Sequence, residues 1–267
     1  MVRSISEYNT VALSTLRGNW GSAILMMFAY YVLQFFASFI IGIIFTFFLV
    51  AVISSLGDIG GIVVNINEKI ISTFVSVPFA FGISMSFLDF VRFRDYKALS
   101  IERAVAEGYN NALVAILQEF YMGLWMLLLI IPGVIKAYSY ALTPYIVKDN
   151  PGIGANAAID MSCSMMKGHK WKLFLVHLYI SWWCILAFII LGIIACFCGL
   201  SIFYDGVSAG NVVIMLMLGG FVFVLSIALG FYIMPIIESA QALFYEDLLE
   251  EQRVSAPSAT SSSDMKF

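Results

Sequence analysis

The segment GNWGSAILMMFAYYVLQFFASFIIGIIFTFFLVAVISSLG, from Gly18 to Gly57, contains no Asp, Glu, Lys or Arg in 40 residues. About 20 apolar residues let an α-helix cross the roughly 30 Å hydrocarbon core of a bilayer. Phe35 to Ile41 does not alternate between apolar and polar residues, as a barrel strand would. Because lipid offers no hydrogen bonds to the backbone, the segment predicts a membrane-spanning helix. Unbroken, it would be about 60 Å long, so we expect it to tilt, to bend near Gly42 or to project beyond the outer leaflet.

The whole chain shares this apolar character. Of its 267 residues, 61% are hydrophobic and 12% are charged, whereas a soluble domain carries about 25% charged residues. Such a chain cannot cover a folded surface with polar groups, which excludes a water-soluble enzyme and a disordered regulator. The net charge of -3 offers no basic field to nucleic acid. The composition therefore predicts an integral membrane protein.

Further uncharged runs predict an all-α integral membrane protein with a six-helix transmembrane bundle. The fourth helix has only 15 residues and reaches about 22 Å, so it is either a short span or a re-entrant helix. External loops are predicted at Ser54–Lys69 and Ser201–Gly210. The predicted helices are Trp20–Ile53, Ile70–Val91, Asn111–Ile131, Gly133–Val147, Trp171–Leu200 and Asn211–Phe244.

The distribution of Lys and Arg predicts the orientation. With six crossings, 12 of the 14 cations lie on one side, while Lys69 is external and Lys136 is within the membrane. The positive-inside bias places both termini in the cytoplasm and a hairpin at Ile131-Pro132-Gly133 on the outer face. Met1 to Arg17 does not resemble a cleavable signal. The Ser-rich tail, residues 254–267, is predicted to be disordered.

Three similar segments predict an internal repeat within a single transmembrane domain of residues 1–253. Each has a short amphipathic helix, a glycine, a polar residue and then a membrane span, and we call the short helix an elbow. The glycine suits a left-handed helix cap, and the elbows are expected to lie among the inner headgroups. Gly and Pro are also common in membrane helices without any repeat. The glycines are Gly18, Gly108 and Gly168, each second helix carries Pro78, Pro132 or Pro235, and the units are residues 5–92, 99–149 and 153–250.

Ionisable residues inside spans are costly and therefore mark candidate sites. Lys136 and Glu238 each lie one turn after a proline, which predicts either an ion pair that locks two helices or a polar cavity. Glu119 lies about two turns into the third helix, and Tyr140 belongs to a fourth helix crowded with polar groups. Gln241 follows Glu238 by one turn.

Other residues are predicted to anchor the protein at the inner interface. His169, Lys170 and Trp171 form one such group, and Arg92 and Arg94 end the second helix. These residues are candidates for binding lipid headgroups. Asp89 and Arg92 have a spacing that favours a local ion pair. The four cysteines and two histidines lack metal-ligand spacing, so neither a metal nor a cofactor is expected.

Several blocks of the chain resemble a bacterial integral-membrane family called domain of unknown function 975. They include Ile131-Pro-Gly-Val-Ile-Lys136-Ala-Tyr-Ser-Tyr140, Pro144-Tyr-Ile, Met166-Lys-Gly-His-Lys-Trp171 and Phe244-Tyr-Glu. The resemblance covers Leu124 to Leu248, and the chain departs from the family at Met234-Pro235-Ile236. It implies a multi-spanning protein of the bacterial inner membrane and no established activity.

Two functional hypotheses remain, since no catalytic constellation is present. The first is a non-enzymatic scaffold or accessory protein that associates with membrane lipids, or with a membrane or cytoplasmic protein partner, through the elbows and a groove between hairpins. The second is a small transporter or channel for a lipid-like or small polar substrate. A packed interior with a lipid-filled lateral groove favours the first hypothesis. A hydrated cavity reaching both Lys136 and Glu238 favours the second.

Overall fold

A computed structural model describes residues 3–53, 58–205 and 209–255, and over these residues the regular elements are all helices. The short helix Tyr96–Ala98 is a 3-10 helix. The α-helices are α1 Ile5–Leu16, α2 Trp20–Ile53, α3 Asp58–Phe93, α4 Ile101–Asn110, α5 Ala112–Leu128, α6 Ile130–Tyr140, α7 Thr143–Asp149, α8 Ala155–Met165, α9 Lys170–Asp205 and α10 Ala209–Ser255.

Three of the described helices are long and apolar enough to cross a membrane. These segments are Ser76–Phe93 of α3, Lys170–Ile193 of α9 and Met215–Ser255 of α10. A fourth is added if α4 and α5, bent by 72° at their junction, count as one span. Trp20–Phe36 of α2 is a shorter apolar segment. The chain is thus an all-helical protein with several apolar helices suited to a membrane, while the number of six crossings stays a prediction.

The predicted loops are shorter than expected. α3 already begins at Asp58, and α9 continues to Asp205 before α10 begins at Ala209. The glycines in these stretches suggested turns. One glycine inside a helix lowers the stability of the helix by only about 1 kcal/mol, so a long helix can continue through it. α10 also extends through Val254 and Ser255. The rest of both loops and of the predicted tail lies outside the described residues.

The fourth predicted helix is two helices. α6 ends at Tyr140, and α7 begins at Thr143 with Pro144 in its first turn. Proline has no N–H and disfavours a helical conformation in the residue before it. A continuous helix from Gly133 to Val147 was therefore the wrong prediction, because Pro144 interrupts it.

Short helices precede α2, α5 and α9, as the elbow prediction requires. Gly18 and Gly168 follow α1 and α8 with φ angles of 88° and 81°, which confirms the left-handed caps at these two positions. The third predicted cap is wrong, since Gly108 lies inside α4. Gly108 serves a different purpose, which is close contact with α3.

α3 and α4 approach each other so closely that only glycine fits at two positions. A Cβ atom on Gly108 would collide with the main-chain carbonyl of Pro78, and one on Gly82 would collide with that of Ala104. The two glycines thus bring the backbones of the two helices into direct contact. Small residues at helix crossings are typical of membrane proteins for this reason.

The buried core lies where the elbows meet the main helices. α1 packs on α10, α4 packs on α3, and α8 packs on α7 and its neighbours. Each elbow thus rests on a helix of a different predicted unit, and the three contacts form a ring. This ring agrees with the predicted threefold repeat, whose superposition stays a prediction. Away from this core, α2, α9 and α10 expose large apolar side chains.

Substituting alanine for Gly108 tests the close crossing of α3 and α4. We expect Gly108→Ala to lower the free energy of unfolding by about 1–3 kcal/mol, since the new methyl group forces two backbones apart. The matched control is Gly123→Ala in α5, where a Cβ meets nothing within 4 Å. Thermal unfolding of the purified protein in detergent measures both variants. Equal stability of the two would contradict the contact.

Candidate functional site at the break between α6 and α7

The break between α6 and α7 exposes backbone groups that neighbouring side chains satisfy. Pro144 cannot donate to the carbonyl of Tyr140, and the hydroxyl of Thr143 donates to that oxygen instead, at 2.8 Å. Ser162 of α8 covers the other side. Its hydroxyl donates to the carbonyl of Ser139 at 2.8 Å and accepts from the N–H of Leu142 at 3.2 Å. Ser162 thus links α8 to both sides of the break.

Gln241 connects α10 to the same break. Its side-chain amide donates to the carbonyl of Ala141 at 2.8 Å. Gln241 was predicted as an intramembrane polar residue, and the structure gives it this specific partner. Tyr140, also predicted, is buried at the end of α6 and directly precedes the break.

Glu238 lies one helical turn before Gln241 and contacts α3. The hydroxyl of Ser84 donates to its carboxylate at 2.9 Å. Tyr145 of α7 is fully buried beside this pair, and its ring stacks on that of Tyr245 at 5.3 Å. α3, α7 and α10 therefore converge at one small polar cluster, which consists of Glu238, Ser84 and Tyr145.

Lys136 lies elsewhere, so the predicted Lys136–Glu238 ion pair is wrong. The ammonium of Lys136 is 4.7 Å from the centre of the Trp125 ring and 5.8 Å from that of Tyr140. These are cation–π contacts, which stabilise a lysine without a carboxylate. Equal spacing after a proline predicts similar depth, but it does not determine the direction in which a side chain points. Lys136 points towards α5, whereas Glu238 points towards α3.

Glu119, the remaining predicted intramembrane residue, is partly buried on α5. In the part of the chain that the structure describes, no hydrogen bond or ion pair joins it to the break. The structure thus brings Gln241, Tyr140 and Glu238 together around the break and leaves Lys136 and Glu119 outside the polar cluster.

A network of ion pairs lies at the end of the helices beyond this cluster. Arg92 forms two contacts with Asp149, at 2.6 and 2.7 Å, and its Nε contacts Glu246 at 2.6 Å. The hydroxyl of Tyr245 donates to Asp149 at 2.9 Å. This network joins the ends of α3, α7 and α10.

A second group of charges continues this network to α4. Lys148 contacts Asp89 at 2.9 Å and Glu107 at 2.7 Å, and Arg103 lies 3.6 Å from Asp89. The predicted Asp89–Arg92 pair is therefore wrong. Both residues have tertiary partners, and the bidentate contact of Arg92 with Asp149 is stronger than a local pair on one helix.

The contacts of Asp149 lower the pKa of its carboxyl. Burial alone would raise the pKa of its carboxyl, but hydrogen bonds from Arg92 and Tyr245 favour the charged form and lower the pKa below the ordinary value.

A related contact joins α1 to α10, where the Tyr8 hydroxyl donates to Asp247 at 2.7 Å. Burial and this hydrogen bond raise the pKa of Tyr8. Asp247 also pairs with Arg3.

The predicted inner-interface residues have different surroundings. Trp171 is 68% exposed and stacks on Phe174 at 5.0 Å. His169 and Lys170 are partly exposed at the start of α9, and Arg94 is exposed after α3 with a φ angle of 53°. Arg92 is engaged by two carboxylates instead of facing outward. A headgroup role for His169, Lys170, Trp171 and Arg94 stays a prediction.

Replacing Asp149 by asparagine tests the ion-pair network. At neutral pH we expect Asp149→Asn to lower the free energy of unfolding by roughly 1–3 kcal/mol, since Arg92 loses a charged acceptor. A carboxyl whose pKa is lowered by folding stabilises the protein above its unfolded pKa. That contribution is lost as the pH falls through the folded pKa, which lies below the ordinary value of an aspartate.

The difference in stability between wild type and Asp149→Asn should therefore shrink on acidification. Thermal unfolding at a series of pH values measures it. Asp160→Asn is the control, because Asp160 is exposed on α8. A difference that is independent of pH would contradict the assigned role of the charge.

Comparison with known proteins places this arrangement in a family. No curated protein matches the chain, and no solved structure does. The sequence pattern described as "Protein of unknown function (DUF975)" matches residues 107–252. The matched region contains the break, Ser162, Glu238 and Gln241, and it covers more than half of the chain. This chain therefore belongs to the DUF975 family of proteins of unknown function.

Proposed function

We propose that this protein is a non-enzymatic, lipid-associating membrane protein that binds acyl chains in a lateral groove between α2 and α10. The groove has a volume of about 710 Å³, within the range of ligand-binding cavities. Five phenylalanines and Tyr31 are among its ten lining residues. Both walls belong to apolar helices. This groove is the observation that carries the proposal.

The surroundings of the groove favour an acyl chain as its occupant. Its α10 wall lies in the candidate span Met215–Ser255, and its α2 wall lies in the apolar segment Trp20–Phe36. At that depth in a membrane the surrounding medium is hydrocarbon, so the groove fills with lipid chains unless protein covers it. Phe231 contacts Phe28 at 6.1 Å and Tyr31 at 5.6 Å between ring centres, so aromatic rings from both helices meet in the lining of the groove.

The packing of the interior also supports this proposal over a central transport cavity. Lys136 and Glu238, the two residues expected to line such a cavity, have separate partners on separate helices. The core between α3, α7 and α10 is filled by large side chains such as Phe87 and Tyr145. The proposal includes the finer predictions of six crossings, three repeat units, a bacterial inner membrane and both termini in the cytoplasm.

A transporter is the second candidate, and one observation favours it. α6 and α7 form an interrupted helix beside a carboxylate, and interrupted helices often build the binding sites of transporters. In this chain Thr143, Ser162 and Gln241 already satisfy the backbone groups freed at the break. The break therefore has protein partners without any bound substrate, and we rank lipid association first.

Photo-crosslinking tests the groove. The purified protein is reconstituted with a phospholipid that carries a photoreactive group in its acyl chain, and the labelled peptides are mapped by mass spectrometry. We expect labelling to concentrate on residues 28–36 of α2 and 223–231 of α10. Gly230→Leu places a side chain in the groove and should reduce that labelling several-fold.

Gly219→Leu is the matched control on the same helix. Gly219 is exposed but does not line the groove, so labelling of the groove should be unchanged. Uniform labelling of all lipid-facing helices, unaffected by Gly230→Leu, would contradict the proposed site. Substrate uptake into vesicles that is abolished by Gln241→Ala would favour the transporter instead.

A further inference from the structure

Glu238 differs from the carboxylates at the ends of the helices. Asp89, Asp149, Glu246 and Asp247 each have an Arg or Lys nitrogen within 4 Å. Glu238 has none among the described residues, and its recorded side-chain partner is the hydroxyl of Ser84. A carboxylate charge away from water is costly unless a cation compensates it. The surroundings of Glu238 thus disfavour the charge.

The groups around Glu238 are hydroxyls from several helices. The charge of Glu238 interacts with Tyr145 of α7 and with Tyr30 and Tyr31 of α2. Among the described residues, these three phenols and Glu238 are the titratable groups that interact at this junction, and α3 contributes the uncharged Ser84. Phenols are neutral near pH 7. Of these groups, Glu238 is therefore the one that can carry a negative charge at neutral pH.

Two buried hydroxyl groups, one on α7 and one on α10, lack partners among the described residues. The oxygen of Tyr145 and Oγ of Ser239, both buried, make no hydrogen bond in the described part of the chain. An ionised carboxylate only accepts hydrogen bonds, whereas a protonated one also donates one. A proton on Glu238 therefore adds a donor to the cluster of Glu238, Ser84 and Tyr145, in which the oxygen of Tyr145 has no hydrogen bond among the described residues.

We propose that Glu238 is a proton-binding site at the junction of α3, α7 and α10. The proton comes from water and binds one carboxyl oxygen, while the other oxygen still accepts from Ser84. Release of the proton leaves a negative charge that has no Arg or Lys nitrogen within 4 Å among the described residues. Because Gln241 on the next turn holds the break at Ala141, proton release acts on the helices that carry the break. This proposal does not depend on lipid in the groove.

Infrared spectroscopy of the full chain in lipid nanodiscs tests the proposal. A protonated carboxyl has a carbonyl band that an ionised one lacks. We expect the wild type to show one such band at pH 7 that disappears on raising the pH. Glu238→Gln should remove the band at every pH.

Two further variants keep the test decisive. Glu250→Gln alters an exposed carboxyl on the same helix and should retain the band. Ser84→Ala removes the hydrogen bond to Glu238 and should shift the frequency of the band, so the assignment can be made even if Glu238→Gln does not fold. Absence of the band at pH 7, or a band unchanged in both Glu238→Gln and Ser84→Ala, would overturn the proposal. None of these results depends on the crosslinking of lipid to the groove.

Discussion

The centre of this structure depends on one backbone hydrogen bond that cannot form, because Pro144 has no N–H group to donate to the carbonyl of Tyr140. In lipid a free backbone carbonyl costs several kcal/mol, so each group released at a helix break needs a partner. Thr143 supplies one from within the break, and Ser162 and Gln241 supply others from α8 and α10. The break thereby fixes the positions of an elbow helix and of the last long helix. Glu238, one turn from Gln241, is placed against Ser84 as a consequence.

Ion pairs at the ends of the helices also join several of these elements. Arg92 joins α3 to α7 and α10, and Lys148 joins α7 to α3 and α4. Single surface pairs contribute little, but these charges share partners and are partly shielded. The close contact at Gly82 and Gly108 adds a backbone-to-backbone crossing that no side chain could replace. The end of the helices that carries these charges is therefore held by several tertiary contacts, while the groove is lined mainly by apolar residues of α2 and α10.

Sequence reasoning succeeded where a local rule decides the outcome. The uncharged runs predicted α2, α9 and α10 because lipid leaves helices as the only simple solution. The glycines at positions 18 and 168 were predicted as left-handed caps because each follows a short predicted helix. Sequence reasoning failed at Gly108, which occupies the same place in its segment as Gly18 and Gly168 but lies inside α4 against Pro78 of α3. It also failed for Asp89 and Arg92, whose local pairing is replaced by partners 14 and 57 residues away.

By itself, the sequence determined that this protein is helical and suited to a membrane, and which few ionisable groups lie in its apolar segments. These properties follow from composition and periodicity, which can be read from each segment of the chain separately. Only the tertiary structure decided that Lys136 lies over Trp125 while Glu238 accepts from Ser84, and that Ser162 and Gln241 close the break. Such contacts depend on the rotation and crossing of helices far apart in the chain. Packing decides these angles, and no local pattern of residues encodes them.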